Sequence, residues 1–220
     1  MKTILCYGDS ITWGSNPDQP GTRHAREDRW PEVMAALLGP EFHIISDGLR
    51  GRTTAYSTAL ADCDRNGAQT LPTALYAHAP LDAVILFLGT NDLQVTICGA
   101  AVAALQGIRR LIEITQRHAP RMPGVLPPKI LIIAPPHIVP SADPFFTRIV
   151  PDGVNQSRAI APLYMGLAAE MGVHFFDAAP IATASPVDGI HLDAKNTRAI
   201  GVALAPVIRE LLNVEGTRIG

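Results

Sequence analysis

Apolar residues along the chain fall in short runs that end at polar turns. Residues 3–7 stop at Gly8-Asp9-Ser10, residues 83–88 stop at Gly89-Thr90-Asn91-Asp92, and residues 130–134 stop at Pro135-Pro136-His137. Short runs without polar alternation are the pattern of strands buried on both faces. Residues 42–45, ending at Ser46-Asp47-Gly48, and residues 173–176, ending at Asp177, are weaker strand candidates. Helical patterns occupy residues 30–38, 100–118, 156–171 and 196–212, the last with a bend expected at Pro206. Strands alternating with helices predict an α/β fold, a three-layer α/β/α sandwich on a five-stranded parallel sheet. The length of 220 residues suits one domain over 1–220. Ligands of such sheets bind at the carboxyl ends of the strands, where the polar turns fall. Residues 135–153, rich in proline and containing Phe145-Phe146, read as a long structured loop: a lid, a pocket wall or a subunit contact.

Three of these turns hold candidate chemistry. A nucleophilic hydrolase needs a hydroxyl, a base beside it, a carboxylate to orient the base, and donors for the oxyanion. Ser10 follows the first strand directly, where the amides at a helix start would favour developing negative charge. The same placement also suits a helix cap, so Ser10 alone leaves both readings open. Asp188-Gly189-Ile190-His191 precedes the last helix, and its spacing lets a carboxylate fold back onto an imidazole in one loop. Taken singly, this motif is equally a loop with a solvated histidine. Asn91 offers an amide donor after the third strand and Gly51 a backbone N–H after the second. Their alternatives are a helix cap and a plain turn glycine.

Composition narrows the classes. With 18 Lys+Arg scattered against 20 Asp+Glu, the chain shows no basic face for nucleic acid. Asp9 interrupts the first apolar run before a signal peptide or a membrane span could form, so a cytoplasmic protein without a membrane partner is expected. Cys6, Cys63 and Cys98 have neither a paired nor a zinc-like spacing, and no histidine pair stands in H-x-x-x-H or H-E-x-x-H; no metal and no cofactor are expected. The G-x-S-x-G elbow and both glycine-rich phosphate-binding motifs are missing from the sequence.

Taken together and in order, Gly8-Asp9-Ser10, Gly51, Gly89-Thr90-Asn91-Asp92 and Asp188-x-x-His191 resemble the four sequence blocks of the SGNH, or GDSL, hydrolase family across nearly the whole chain. The resemblance implies a flavodoxin-like sandwich with Ser10 as nucleophile, His191 as general base and Asp188 as its partner. It also implies an oxyanion hole formed by Ser10, Gly51 and Asn91. Residues 4–14, the segment Gly48-Leu49-Arg50-Gly51-Arg52-Thr53-Thr54 and Val187-Asp188-Gly189-Ile190-His191 are similar to the arylesterase and acyltransferase branch. That likeness implies small-molecule ester substrates with short acyl or aryl groups, acyl transfer to alcohols, and a compact homo-oligomer of up to eight subunits. A carbohydrate O-acetyl deacetylase would use the same machinery, and a non-catalytic ligand-binding module is the alternative of another class. Trp13, His137, Phe145 and Phe146 are candidate pocket residues, with core packing or loop anchoring as their alternatives.

Overall fold

The computed structural model describes residues 1–118 and 125–212. Its sheet contains β1 (Lys2–Gly8), β2 (Phe42–Gly48), β3 (Ala83–Phe87), β4 (Lys129–Ala134) and β5 (His174–Asp177). The strands lie in the order β2-β1-β3-β4-β5, and every pairing is parallel. All five lie within two residues of the predicted runs at their starts. Strand β2 extends to Gly48, beyond the predicted end at residue 45, because its polar residues Ser46 and Asp47 still pair with Cys6 and Tyr7.

Alternation along the strands divides the core into two layers. On one face Leu5, Tyr7, Val84, Leu86, Ile130 and Ile132 pack against α3 (Gly67–Ala77), α4 (Ala101–Arg117) and α6 (Gly153–Met171). On the other, Ile4, Cys6, Ile85, Phe87, Leu131 and Ile133 meet α2 (Trp30–Leu38) and α7 (Ala194–Leu211). Burial on both sides is why these runs contain almost no polar residue.

Two helices were not legible in the sequence. Helix α3 has Pro72 inside it, which removes a backbone donor and reads as a breaker. Its Leu71 and Leu75 are buried against the sheet, and Asn66 caps its start by accepting from the Ala68 amide, so packing outweighs the local penalty. Helix α5 (Pro144–Ile149) lies inside the predicted loop 135–153 and is capped by Asp143; none of its residues is fully buried. The last helix runs through Pro206.

The chain leaves β1 to build β2 on one side, then crosses back to β3 on the other. Neighbouring loops therefore diverge between β1 and β3, opening a crevice at the carboxyl end of the sheet. Ser10 follows β1, Gly51 follows β2 and Asn91 follows β3, so all three flank this switch point.

Candidate active site

Strand β1 ends at Gly8, and one helical turn, α1 (Ser10–Trp13), begins immediately. Asp9 caps that turn by accepting from the Ile11 amide at 2.9 Å, which leaves Ser10 at its first position. Strand β2 must let this turn pass: a Cβ on Gly48 would lie 2.2 Å from the Trp13 nitrogen.

The loop before α7 brings His191 to Ser10. The Ser10 Oγ and His191 Nε2 atoms are 2.9 Å apart, and His191 Nδ1 is 2.6 Å from Asp188 Oδ2. Asp188 Oδ1 accepts from the amides of Ile190 and His191, both at 2.9 Å, so the carboxylate is held by its own loop. Burial acts to raise the Asp188 carboxyl, but the His191 ring and the two amides outweigh it and hold it below its ordinary range. The turn needs Gly189, whose φ is +79° and whose added Cβ would meet the Val139 carbonyl at 2.5 Å.

Asn91 and Gly51 complete the edge of the crevice. The Asn91 amide nitrogen donates to the Arg52 carbonyl at 3.0 Å and lies 3.4 Å from Asp9 Oδ2, while its oxygen accepts from Gln94 Nε2 at 2.8 Å. That pattern fixes which side of the amide carries the donors. Gly51 adopts φ +76°, and the side chain of Arg65 packs against it. The two turns are tied together beneath the surface. Buried Asp92 accepts from the Thr54 hydroxyl and, at 3.1 Å, from the Thr54 amide. Buried Arg52 donates to the carbonyls of Gly8 and Asp47 and to the Asp47 carboxylate. Burial pushes the Asp9 carboxyl up to about 6 and the Asp92 carboxyl up to about 7, against the lowering effect of their hydrogen bonds.

A cavity of about 410 Å³ lies over these groups, lined by Ser10, Gly51, Asn91 and His191 together with Phe145, Phe146 and Ile149 of α5. Phe146 also stands edge-on to the His191 ring at 6.0 Å. The predicted loop therefore supplies a cavity wall through α5. Two candidate pocket residues do not line this cavity. His137 borders a different, smaller cavity with Arg158 and Ala182, because the chain turns away after β4. Trp13 is covered by the guanidinium groups of Arg23 and Arg50, 4.8 and 5.3 Å from its ring centre. Sequence reasoning did not single out Arg50, Arg65, Gln94 or Ile149 as lining residues; polar or apolar loop residues carry no signal of the surface they face. Among the described residues no cluster of three or more histidine, cysteine or acidic side chains could hold a metal ion.

A hydroxyl, an imidazole and a carboxylate in hydrogen-bonded series, at the switch point of a parallel sheet, define a serine hydrolase on a flavodoxin-like sandwich. The chain belongs to the GDSL-like Lipase/Acylhydrolase family, whose model matches residues 6–198. It is thus a carboxylic ester hydrolase of the SGNH type, and the resemblance read from its four sequence blocks holds. Among solved structures it is similar to a carbohydrate acetylesterase family member from Sinorhizobium meliloti, with 50% identity and a TM-score of 0.94 over 97% of this chain and 100% of that one. It is also similar to the native M. smegmatis aryl esterase, with 38% identity and a TM-score of 0.91 over 96% of this chain and 100% of the other. A second carbohydrate acetylesterase from Sinorhizobium meliloti shares 37% identity at a TM-score of 0.91, again over 96% and 100% of the two chains. A comparison with curated proteins gives no match.

Proposed function

We propose that the protein hydrolyses short acyl or aryl esters through an acyl-enzyme on Ser10. The observation that carries this reading is the unbroken series from Ser10 Oγ to His191 Nε2 and from His191 Nδ1 to Asp188, at 2.9 and 2.6 Å. Ser10 Oγ attacks the ester carbonyl as His191 Nε2 takes its proton, and Asp188 stabilises the imidazolium that forms. The negative oxygen of the tetrahedral intermediate is met by the amides of Ser10 and Gly51 and by the Asn91 side chain, without any cofactor. Collapse expels the alcohol, protonated by His191. Water, or a second alcohol in an acyl transfer, then attacks the acyl-enzyme with His191 again as base. Phe145, Phe146 and Ile149 give the cavity an apolar wall suited to a short acyl or aryl group.

The likeness to an acetylesterase at 50% identity favours a second reading of the substrate, an acetyl group on a carbohydrate hydroxyl, removed by the same steps. Three free cysteines, Cys6 buried and Cys63 and Cys98 exposed, support a reducing, cytoplasmic setting. Among the described residues no helix is long and apolar enough to cross a membrane. Phe145, 64% exposed at the cavity wall, supports the expected homo-oligomer, since a neighbouring subunit there would narrow the site.

The test is turnover of p-nitrophenyl acetate, butyrate and octanoate, and release of acetate from O-acetylated xylan, by wild type and Ser10→Ala in parallel. Hydrolysis of the short esters that disappears in Ser10→Ala is the expected result. Equal activity in both proteins would remove Ser10 as nucleophile, and faster release from the polysaccharide would favour the second reading.

A further inference from the structure

Two arginines, Arg50 and Arg65, line the cavity that holds Ser10 and His191, and among the described residues no Asp or Glu lines it. Arg65 is only partly exposed, and its buried Nε has no hydrogen-bond partner. Neither arginine enters a salt bridge among the described residues. This differs from Arg52 nearby, whose two terminal nitrogens are engaged by Gly8 and Asp47.

The neighbouring acidic groups are committed elsewhere. Asp188 holds His191, Asp143 caps α5, Asp64 accepts from the Asn66 amide, and Asp47 holds Arg52. The position of Arg65 is defined by the turn it rests on: a Cβ on Gly51 would lie 2.9 Å from its Nη1. Arg50 is exposed, and its stacking over Trp13 holds it at the cavity rim. A guanidinium offers five donors in a fixed fork that matches a carboxylate. Arg65 lines the Ser10 cavity, which has no protein carboxylate in its wall, while Arg50 stands between it and a second cavity bordered by Asp143 and Asp188.

We propose that the ester substrate carries a carboxylate, on its acyl or its alcohol portion, which Arg65 and Arg50 hold while the ester carbonyl lies at Ser10. The proposal rests on the serine-esterase reading above. Binding energy from a charge remote from the reacting carbonyl orients that carbonyl against Ser10, so it enters kcat/KM. A positive charge that merely aided the oxyanion would help neutral and anionic esters alike. The ratio between them is therefore the quantity to measure.

The experiment compares kcat/KM for mono-p-nitrophenyl glutarate with p-nitrophenyl pentanoate, which places the charge on the acyl side. A second arm compares p-acetoxybenzoate with p-acetoxybenzamide, which places it on the alcohol side. Each rate is divided by the hydroxide-catalysed rate of the same ester. The expected result is a preference for the anion of about tenfold or more in one arm, falling with added salt and collapsing toward one in Arg65→Gln. Circular dichroism and labelling of Ser10 by a fluorophosphonate check that the variant is folded. Arg50→Gln, at an exposed position, and the salt titration of wild type carry the test if it is not. A ratio near one in both arms of wild type overturns the proposal, as does a preference that survives in both variants, or equal loss on neutral and anionic esters in Arg65→Gln. Failure of wild type to turn over any ester, with no labelling of Ser10, overturns the esterase reading itself and is a distinct outcome.

Discussion

Asp188 and His191 stand three residues apart in one loop, and the carboxylate reaches the ring nitrogen Nδ1 at 2.6 Å while the opposite nitrogen, Nε2, faces Ser10. Because the Ile190 and His191 amides hold the other carboxylate oxygen, the loop orients the imidazole and the carboxylate as a unit. Ser10 has only to be brought within reach of one side of that unit.

Asp188→Asn tests the orientation. An amide keeps the shape but can present its N–H to Nδ1, which favours the tautomer with its proton on Nε2, where a base must be free. The expected outcome is a fall in kcat of about a thousandfold or more, by analogy with the same change in other triads. Esterase assays paired with circular dichroism check it. Near-normal kcat in a folded variant would mean that Asp188 does not set the tautomer.

Asn91→Ala removes a donor whose amide is held in position by Gln94 and the Arg52 carbonyl. A fall in kcat of roughly a hundredfold with little change in KM is expected, because an oxyanion exists only after attack. A change confined to KM would instead mark Asn91 as a substrate-binding group.

Gly189→Ala places a side chain at φ +79°, 2.5 Å from the Val139 carbonyl, so the loop must shift. Backbone strain of about 1 kcal/mol or more is expected in stability. Activity should fall further than stability predicts, since the displaced loop holds both Asp188 and His191. Thermal unfolding and ester kinetics on the same preparation separate the two effects.

Asp92→Asn tests the buried link to Thr54. Burial raises the folded-state carboxyl to about 7, so the folded protein keeps a proton that the unfolded chain has released at a pH above about 4. Wild-type stability therefore declines as pH rises from the unfolded value through about 7, as ionisation of the buried group becomes obligatory. In Asp92→Asn this contribution disappears, and the melting temperature should depend less on pH between about 5 and 8. Melting curves of both proteins across that interval decide it; parallel curves would show that Asp92 titrates alike in the two states.

Leu131→Ala, in the middle of β4 with no exposed surface, should cost about 2–5 kcal/mol by lost burial and the cavity left behind. Denaturant titration measures it. A cost near zero would show that the layer beneath α7 collapses around the gap.

Much of the architecture was legible because a strand covered on both faces must be apolar throughout. The runs at Leu5, Ile85 and Ile132 therefore announce themselves and end at polar or proline turns, although turn residues such as Asp9, Ser10 and Thr90 are themselves buried. The four short motifs were legible for a related reason, since they occupy the strand ends and one self-contained loop. Helix α3 was not, because Pro72 reads locally as a breaker while the burial of Leu71 and Leu75 that outweighs it is a tertiary fact.

By itself the sequence determined which segments are buried and the α/β class, and it allowed the short-range Asp188–His191 pairing, for these depend on residue type and near neighbours. Only the tertiary structure decided that Ser10, 181 residues from His191, lies 2.9 Å from it. It likewise decided that α5 walls the cavity, that His137 borders another, and that Arg50 and Arg65 line the Ser10 cavity. Periodicity records whether a residue is covered and not by what. The partners of a loop side chain are fixed by where the sheet places each strand end, and that follows from the packing of the whole core.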